Sequence, residues 1–145
     1  MKIILKVVCF IIITVTFLTG CAEKPDTNGV DLDLSGLSIT MVQAEYERII
    51  SNADDYIGKT IKVFGSFRTY LTDDAGGIAY YVIIIPGDDC CQMGFEFKRD
   101  GNYTFPDDYP AQNSMILISG TLDRHEVFNS LSLYISVDEF TVAGK

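Results

Sequence analysis

At 145 residues, 48% of them apolar, the chain is long enough for one domain around a single hydrophobic core. It carries 20 acidic against 11 basic side chains, a formal net charge of −9 at pH 7. Phosphate backbones and anionic lipid headgroups repel a chain this acidic, which argues against nucleic-acid binding.

The first 20 residues have the pattern of an export signal. A positively charged start, with Lys2 and Lys6, precedes a stretch over residues 7–18 that is apolar except for threonines. The tetrapeptide Leu-Thr-Gly-Cys that ends at Cys21 resembles the lipobox of bacterial lipoprotein precursors. We therefore expect residues 1–20 to be a lipoprotein signal peptide that is removed from the mature protein.

The resemblance to lipoproteins implies a role for Cys21. It would become the first mature residue and carry fatty acyl chains, such as palmitate, on its sulfur and its amine. Several acyl chains hold a protein at a membrane surface without a transmembrane helix. The expected location is the cell envelope, on the outer face of the bacterial membrane or at the outer membrane. Loss of Lys2 and Lys6 with the signal peptide takes the net charge from −9 to −11.

Residues 21–38 are predicted to be the lipidated cysteine and a flexible tether. The segment is polar and contains Pro25, Gly29 and Gly36. The folded domain is then expected over residues 39–145.

A helix is predicted from Met41 to about Asn52. Thr40 and Gln43 have the spacing of a capping box, which marks a helix start. Apolar residues at helical spacing follow, and they define a face that must pack on another element: Val42, Tyr46, Ile49, Ile50 and Ala53.

Five strands are predicted after the helix, over residues 60–71, 78–86, 94–98, 115–126 and 131–142. The stretch 80–85 is apolar on both faces, which is typical of a strand covered on both sides, here by the helix. Gly65 and Gly120 lie in mid-strand, where glycine indicates a bend or a bulge.

Two of these strands have a family resemblance. Residues 56–65 and 115–122 resemble the first and fourth strands of an OB-fold. The resemblance implies a mainly β fold, a small five-stranded OB-like Greek-key barrel, here preceded by one α-helix. Pro106 and Pro110 occupy a loop where OB-folds usually have a helix.

The least generic segment of the mature chain is residues 88–97. It resembles a Cys-Cys segment of uncharacterised bacterial lipoproteins with OB-like domains. The resemblance implies that Cys90, Cys91, Gly94, Glu96 and Phe97 are motif positions, and it assigns them no roles. No disulfide framework is expected, because Cys90 and Cys91 are the only thiols left after the signal and the lipid anchor.

Three interpretations of the cysteine pair remain. The favoured one places one thiol in the core and its neighbour under a loop or at the rim of a pocket. A labile vicinal disulfide would make a redox switch, although adjacent Cα atoms, about 3.8 Å apart, are closer than ordinary disulfides require. A zinc or copper site would add His125 and either Glu96 or Asp89, although adjacent cysteines chelate poorly.

The aromatic residues from the third strand onward offer a ligand site. Stacking on a sugar or a peptide competes with the favoured interpretation, in which the rings cover one end of the barrel. The rings are Phe95, Phe97, Tyr103, Phe105 and Tyr109. The candidate ligand site is Cys90, Cys91, Glu96, Phe97 and the loop 103–109, which includes Tyr109.

No catalytic constellation is recognisable, so we expect a non-enzymatic binding or scaffolding module, with a peptide, a glycan or another envelope protein as its partner. No cofactor is expected, with zinc as the alternative. Four acidic doublets fall near predicted turns, where aspartate is common; converging loops would instead allow them to bind a cation. They start at Asp54, Asp73, Asp88 and Asp107.

Overall fold

The computed structural model describes residues 29–72, 77–87, 91–127 and 130–144. Within these residues the protein is mainly β, with one α-helix and a six-stranded mixed sheet. In chain order the elements are β1 (Leu32–Asp33), α1 (Ile39–Ser51), a 3₁₀ turn (Ala53–Asp55), β2 (Thr60–Leu71), β3 (Ile78–Ile85), β4 (Met93–Arg99), β5 (Met115–Val127) and β6 (Ser130–Val142). The predicted signal peptide and Cys21 lie outside the described residues.

The strand count of five was wrong. The five strands expected after the helix are present, but β1 precedes the helix and pairs in parallel with the start of β2, with Leu32 opposite Ile61. Leu34 follows at 3% exposure and belongs to the core. Part of the segment predicted as a tether is therefore built into the sheet and the core.

The capping box predicted for α1 is absent. The helix begins at Ile39, and its N-cap is Ser38, whose side chain makes no capping hydrogen bond. The amide of Gln43 instead donates to Glu47, one turn further along, at 3.0 Å. As predicted, the helix packs against β3, and it buries Val42 and Ile49.

Each of the strands β3 to β6 has two partners in the sheet, and β2 has three, because it also pairs with β1. β2 pairs with β5 through its first half and with β3 through its second half, β3 pairs with β4, and β5 pairs with β6, all antiparallel. β4 and β6 pair in parallel, with Phe97 opposite Ile135. This parallel pairing places the last strand, β6, between β4 and β5.

The mid-strand glycines are needed where strands approach closely. A Cβ on Gly65 would collide with the carbonyl oxygen of Ile83, and one on Gly120 with that of Ser136. The pairing of β5 with β6 shifts register between Ser119 and Gly120, which confirms the irregularity predicted there.

The core lies between α1, β1 and the inward faces of the strands. Its fully buried members are Ile49, Ile61, Val63, Phe67, Val82, Phe95, Phe97, Ile116, Ile118, Leu122 and Ile135. Side chains alternate along a strand, so Glu96, between two buried phenylalanines, faces the other way. In the described ranges no helix combines the length and the apolar character needed to cross a membrane.

Candidate functional site

A cleft of about 730 Å³ lies between the C-terminal end of α1 and the sheet. We call it the helix–sheet cleft. Its volume is typical of small-ligand sites. Its walls come from six elements of the chain: Tyr46, residues 50–55, Tyr81, residues 94–96, Arg124, Ser132 and Leu133.

The rim is set by the way the helix ends. The backbone N–H and the side-chain amide of Asn52 both donate to the carbonyl of Arg48 at 3.0 Å, which closes the last turn of α1. The 3₁₀ turn that follows places Asp54 and Asp55 at the mouth of the cleft. Arg124 on β5 reaches across with Nη1 2.6 Å from Oδ1 of Asp54, a contact that is exposed to solvent.

Tyr46 forms a fixed wall. Its hydroxyl donates to the carbonyl oxygen of Gly94 at 3.2 Å, and its ring packs edge-on against Phe95 at 5.1 Å between centroids. Burial raises the pKa of Tyr46 above its usual value of 10. The helix is thereby attached to β4 by a neutral phenol.

The opposite wall contains Tyr81 and Glu96, which are direct cross-strand neighbours on β3 and β4. Only 12% of the Glu96 side chain is exposed. Burial, with the negative charge of Glu96 adding to it, raises the pKa of Tyr81. This wall of the cleft thus holds a neutral phenol beside a mostly buried carboxyl group.

His125, the only histidine of the chain, contacts this carboxyl group. Its Nε2 lies 3.1 Å from Oε2 of Glu96, but the geometry is not that of a hydrogen bond, so the contact is electrostatic. On the far side Nδ1 lies 2.5 Å from Nζ of Lys98. The ring of His125 thus lies between Lys98, which is next to Nδ1, and Glu96, which is next to Nε2.

Tyr134 on β6 orients this histidine. The His125 ring stacks on the Tyr134 ring at 5.2 Å, and the Lys98 ammonium lies 4.0 Å from the centre of the same ring. The Tyr134 hydroxyl donates to Asp123 at 3.2 Å. Burial and this carboxylate raise the pKa of Tyr134. The imidazole is therefore held between an ammonium, a ring and a carboxyl group.

A second depression, of about 420 Å³, continues the cleft along β3. The two share Tyr46, Tyr81 and Gly94. Tyr70, whose ring meets Tyr81 edge-on at 5.3 Å, and the 82% exposed Leu71 line the far part. Together they form one groove, acidic near the helix end and more apolar toward the end of β2.

The other aromatic residues form a packed cluster on the inward side of β3 and β4. Tyr80 stacks on Tyr109 with ring centres 4.2 Å apart and planes within 3°, and both lie against Phe67. Tyr103 is covered on one face by the Arg99 guanidinium at 3.6 Å. These residues pack on one another and on Arg99. That they cover one end of a barrel stays a prediction.

Four of the predicted ligand residues, Glu96, Phe97, Tyr103 and Tyr109, line one depression of about 260 Å³ beside β3 and β4. Phe97 is fully buried there and Tyr109 is stacked in the cluster, whereas Glu96 also lines the helix–sheet cleft. Cys91 is exposed in the turn that precedes β4. Since strands rise about 3.3 Å per residue, Glu96 lies roughly 10 Å beyond the start of that strand.

The metal hypothesis gains one contact. The structure joins His125 to Glu96, two of the ligands considered for zinc. Cys90 and Asp89 lie outside the described residues. Among the residues that are described, no group of three or more His, Cys, Asp or Glu side chains is arranged to hold a metal ion.

Sequence reasoning missed much of the cleft. Tyr46 and Tyr81 looked like core positions, and Asp54 like a solvated turn residue. Two predictions from the sequence pointed to this place: Glu96 as a candidate ligand residue, and the acidic doublet at the turn as part of a hypothetical cation site. Compared by sequence with known proteins, the chain matches no protein-family model and no curated protein.

Proposed function

We propose that the protein is a lipid-anchored lipoprotein of the bacterial cell envelope that binds a ligand without catalysis, in the helix–sheet cleft. The observation that carries the proposal is the cleft itself, which has a ligand-sized volume and converging polar groups on an apolar wall. The anchor follows from the lipobox that ends at Cys21.

We further propose that the sheet is an OB-like barrel. Supporting this, the pairings run from β2 through β3, β4, β6 and β5 back to β2. OB-folds bind ligands on the face of their second and third strands, which correspond to β3 and β4 here. The helix–sheet cleft lies on these two strands, so the topology and the cleft agree on one location.

An NMR fragment screen tests the binding proposal. The full chain in a neutral detergent is titrated with small amines, sugars, carboxylates and neutral dipeptides. We expect amide shifts confined to the cleft and its continuation along β3, abolished by Tyr81→Ala and retained in Tyr103→Ala, a tyrosine outside the cleft. Shifts scattered over the surface, or centred on the Tyr80–Tyr109 cluster, would contradict the proposal.

The anchor has a separate test. Expression with a radiolabelled fatty acid in a bacterial host is expected to label the wild-type chain and not the Cys21→Ala variant. Membrane fractionation should follow the label. An unlabelled wild-type protein with its first 20 residues intact would refute the lipoprotein assignment.

Metal binding and thiol redox chemistry at Cys90 and Cys91 are the alternative proposals. The exposure of Cys91 is the observation that favours them. Native mass spectrometry of protein purified without reductant or chelator separates the three cases. Bound zinc or copper supports the first alternative, and a denatured mass two protons short supports the second. A bare mass with both thiols reduced leaves the binding module.

A further inference from the structure

We infer that the helix–sheet cleft selects a primary ammonium group, as carried by a lysine side chain or a small diamine. This inference rests on the proposed binding function and adds the class of ligand. It is argued from the charges of the cleft, the environment of Glu96 and the rings beside it.

The charges that line the cleft are unbalanced. Asp54, Asp55 and Glu96 contribute three carboxylates, and Arg124 contributes the one cation among the described lining residues. That cation is already paired with Asp54 at the mouth. The remaining negative charge lies in a cleft with apolar walls, where a cation is screened less by water than on an open surface.

Glu96 is the deepest of the three carboxylates. Within the described part of the chain its ion-pair partner is His125, whose contact involves Oε2 and has no hydrogen-bond geometry. An ionised carboxyl group has about four acceptor sites, so Oε1 retains the capacity to accept from a ligand. Hydrogen bonds between an ammonium and a carboxylate are among the strong ones.

The rings of Tyr46 and Tyr81 complete the site. Both line the cleft beside Glu96 and are neutral phenols held in place by packing. Cations are attracted to the face of a tyrosine ring within about 6 Å of its centre. The same preference is visible elsewhere in this protein, where Lys98 lies 4.0 Å from the centre of the Tyr134 ring. A flexible alkyl chain with a terminal ammonium can run between such walls to Glu96.

Calorimetric titration of the full chain in a neutral detergent tests the inference. The probes are Nα-acetyl-lysine N-methylamide, its Nε-acetylated form, and 1,5-diaminopentane. We expect the capped lysine and the diamine to bind, and the uncharged Nε-acetylated probe to bind at least about 10-fold more weakly. A stronger response to the capped lysine assigns the ammonium to a peptide, and a stronger response to the diamine to a small metabolite.

Matched variants locate the binding. Glu96→Gln keeps the shape and should lower affinity for the ammonium probes at least about 10-fold, in line with the loss of a charge-assisted hydrogen bond. Glu139→Gln removes the same charge from an exposed position on β6 outside the cleft and should change affinity less than about 2-fold. Should Glu96→Gln fold poorly, Asp55→Asn at the rim provides a second variant, expected to weaken binding about 3-fold.

Three results would overturn the inference. The first is that neither ammonium probe binds at 10 mM, roughly the limit of a useful millimolar affinity. The second is that the acetylated probe binds as tightly as the ammonium probes. The third is that Glu96→Gln and Glu139→Gln lower the affinity equally. The last would mean diffuse attraction to an acidic protein. If neutral fragments still bind in the cleft in these cases, the binding proposal stands and only the selection of an ammonium group is refuted. If no probe binds in the cleft in either experiment, the binding proposal and the ammonium inference are both refuted.

Discussion

Tyr80 and Tyr81 are consecutive residues of β3 in opposite surroundings. Tyr80 packs against four aromatic rings, those of Phe67, Phe97, Phe105 and Tyr109. Tyr81 meets one ring, that of Tyr70, and otherwise lines the helix–sheet cleft beside a carboxyl group. Because side chains alternate along a strand, one tyrosine lies in a packed cluster and the next lines an open groove.

The comparison separates two uses of aromatic residues. On the inward side the rings pack on one another beside a smaller depression of about 260 Å³, and their expected contribution is to stability. On the cleft side the rings leave space between them, and charged groups converge on that space. Substitutions in the two regions should therefore differ in whether they change stability or binding.

The largest expected effect is on the inward side. Phe97→Ala removes a fully buried ring and should lower the free energy of unfolding by about 3–5 kcal/mol. Tyr103→Ala is the control, since its ring is 43% exposed and its contact with Arg99 is worth about 1 kcal/mol or less. Urea denaturation measures both. Similar losses for the two variants would break the distinction between packed and peripheral rings.

The consecutive tyrosines give the sharpest test. Tyr80→Ala should cost about 2–3 kcal/mol, because several aromatic contacts of about 0.5–1.5 kcal/mol each are lost with this partly buried ring. Tyr81→Ala should cost about 1 kcal/mol and also remove binding of the ammonium probes, whereas Tyr80→Ala should leave their affinity within about 2-fold at temperatures where it is folded. Denaturation and calorimetry on both variants decide the matter. Loss of binding in Tyr80→Ala alone would place the ligand on the inward side of β3, outside the helix–sheet cleft.

Most of the fold could be predicted because its long strands alternate or run apolar over seven to thirteen residues. The two-residue β1 was missed because the polar segment around it was interpreted as a tether, although Val30, Leu32 and Leu34 alternate with Asp31 and Asp33. The start of α1 was misread because Thr40 and Gln43 have the spacing of a capping box, whereas the first hydrogen bond of the helix runs from the N–H of Val42 to the carbonyl of Ser38.

The candidate site was harder to predict than the fold. Tyr46, Asp54, Glu96 and Arg124 are separated by up to 78 positions, and what joins them is the packing of α1 on the sheet and the parallel pairing of β4 with β6. Such long-range pairing leaves no local pattern in one sequence. The aromatic segment that attracted attention, by contrast, is a run of neighbours whose rings are occupied with packing.

Tyr46 links the two regions and makes stability depend on pH. Burial raises its folded pKa above the unfolded value near 10, so the folded state keeps a proton that the unfolded state loses. Its stabilising contribution is complete below pH 10 and is lost as pH rises through the folded pKa. Tyr46→Phe should cost about 1 kcal/mol at pH 7, where the hydrogen bond to Gly94 is lost, and this gap should shrink above pH 10.

Urea denaturation of both proteins from pH 7 to pH 11 measures that gap. The other tyrosines with raised pKa values, Tyr81, Tyr109 and Tyr134, are present in both chains, so the difference isolates Tyr46. A gap that stays constant with pH would show that Tyr46 has the same pKa in the folded and unfolded states, and a gap that grows would show that its folded pKa is lowered. Either result would contradict the burial of this wall of the cleft.

The smallest expected effect on stability is that of replacing Arg124, which is compared with Arg99. Arg124 pairs with Asp54 at the solvent-exposed mouth of the cleft, and exposed ion pairs contribute about 0–1 kcal/mol, so Arg124→Ala should change the free energy of unfolding by about 0.5 kcal/mol or less. It frees the rim carboxylate, so affinity for the ammonium probes should rise about 2- to 5-fold. Arg99→Ala removes the same charge from the aromatic cluster, where the guanidinium lies 4.4 Å from the centre of the Phe140 ring. It should cost about 1 kcal/mol and leave the gain in affinity below that of Arg124→Ala. A cation competes with a ligand only where it occupies the ligand's place. Equal gains in affinity for the two variants would therefore mean that net charge alone sets the affinity, rather than competition for Asp54.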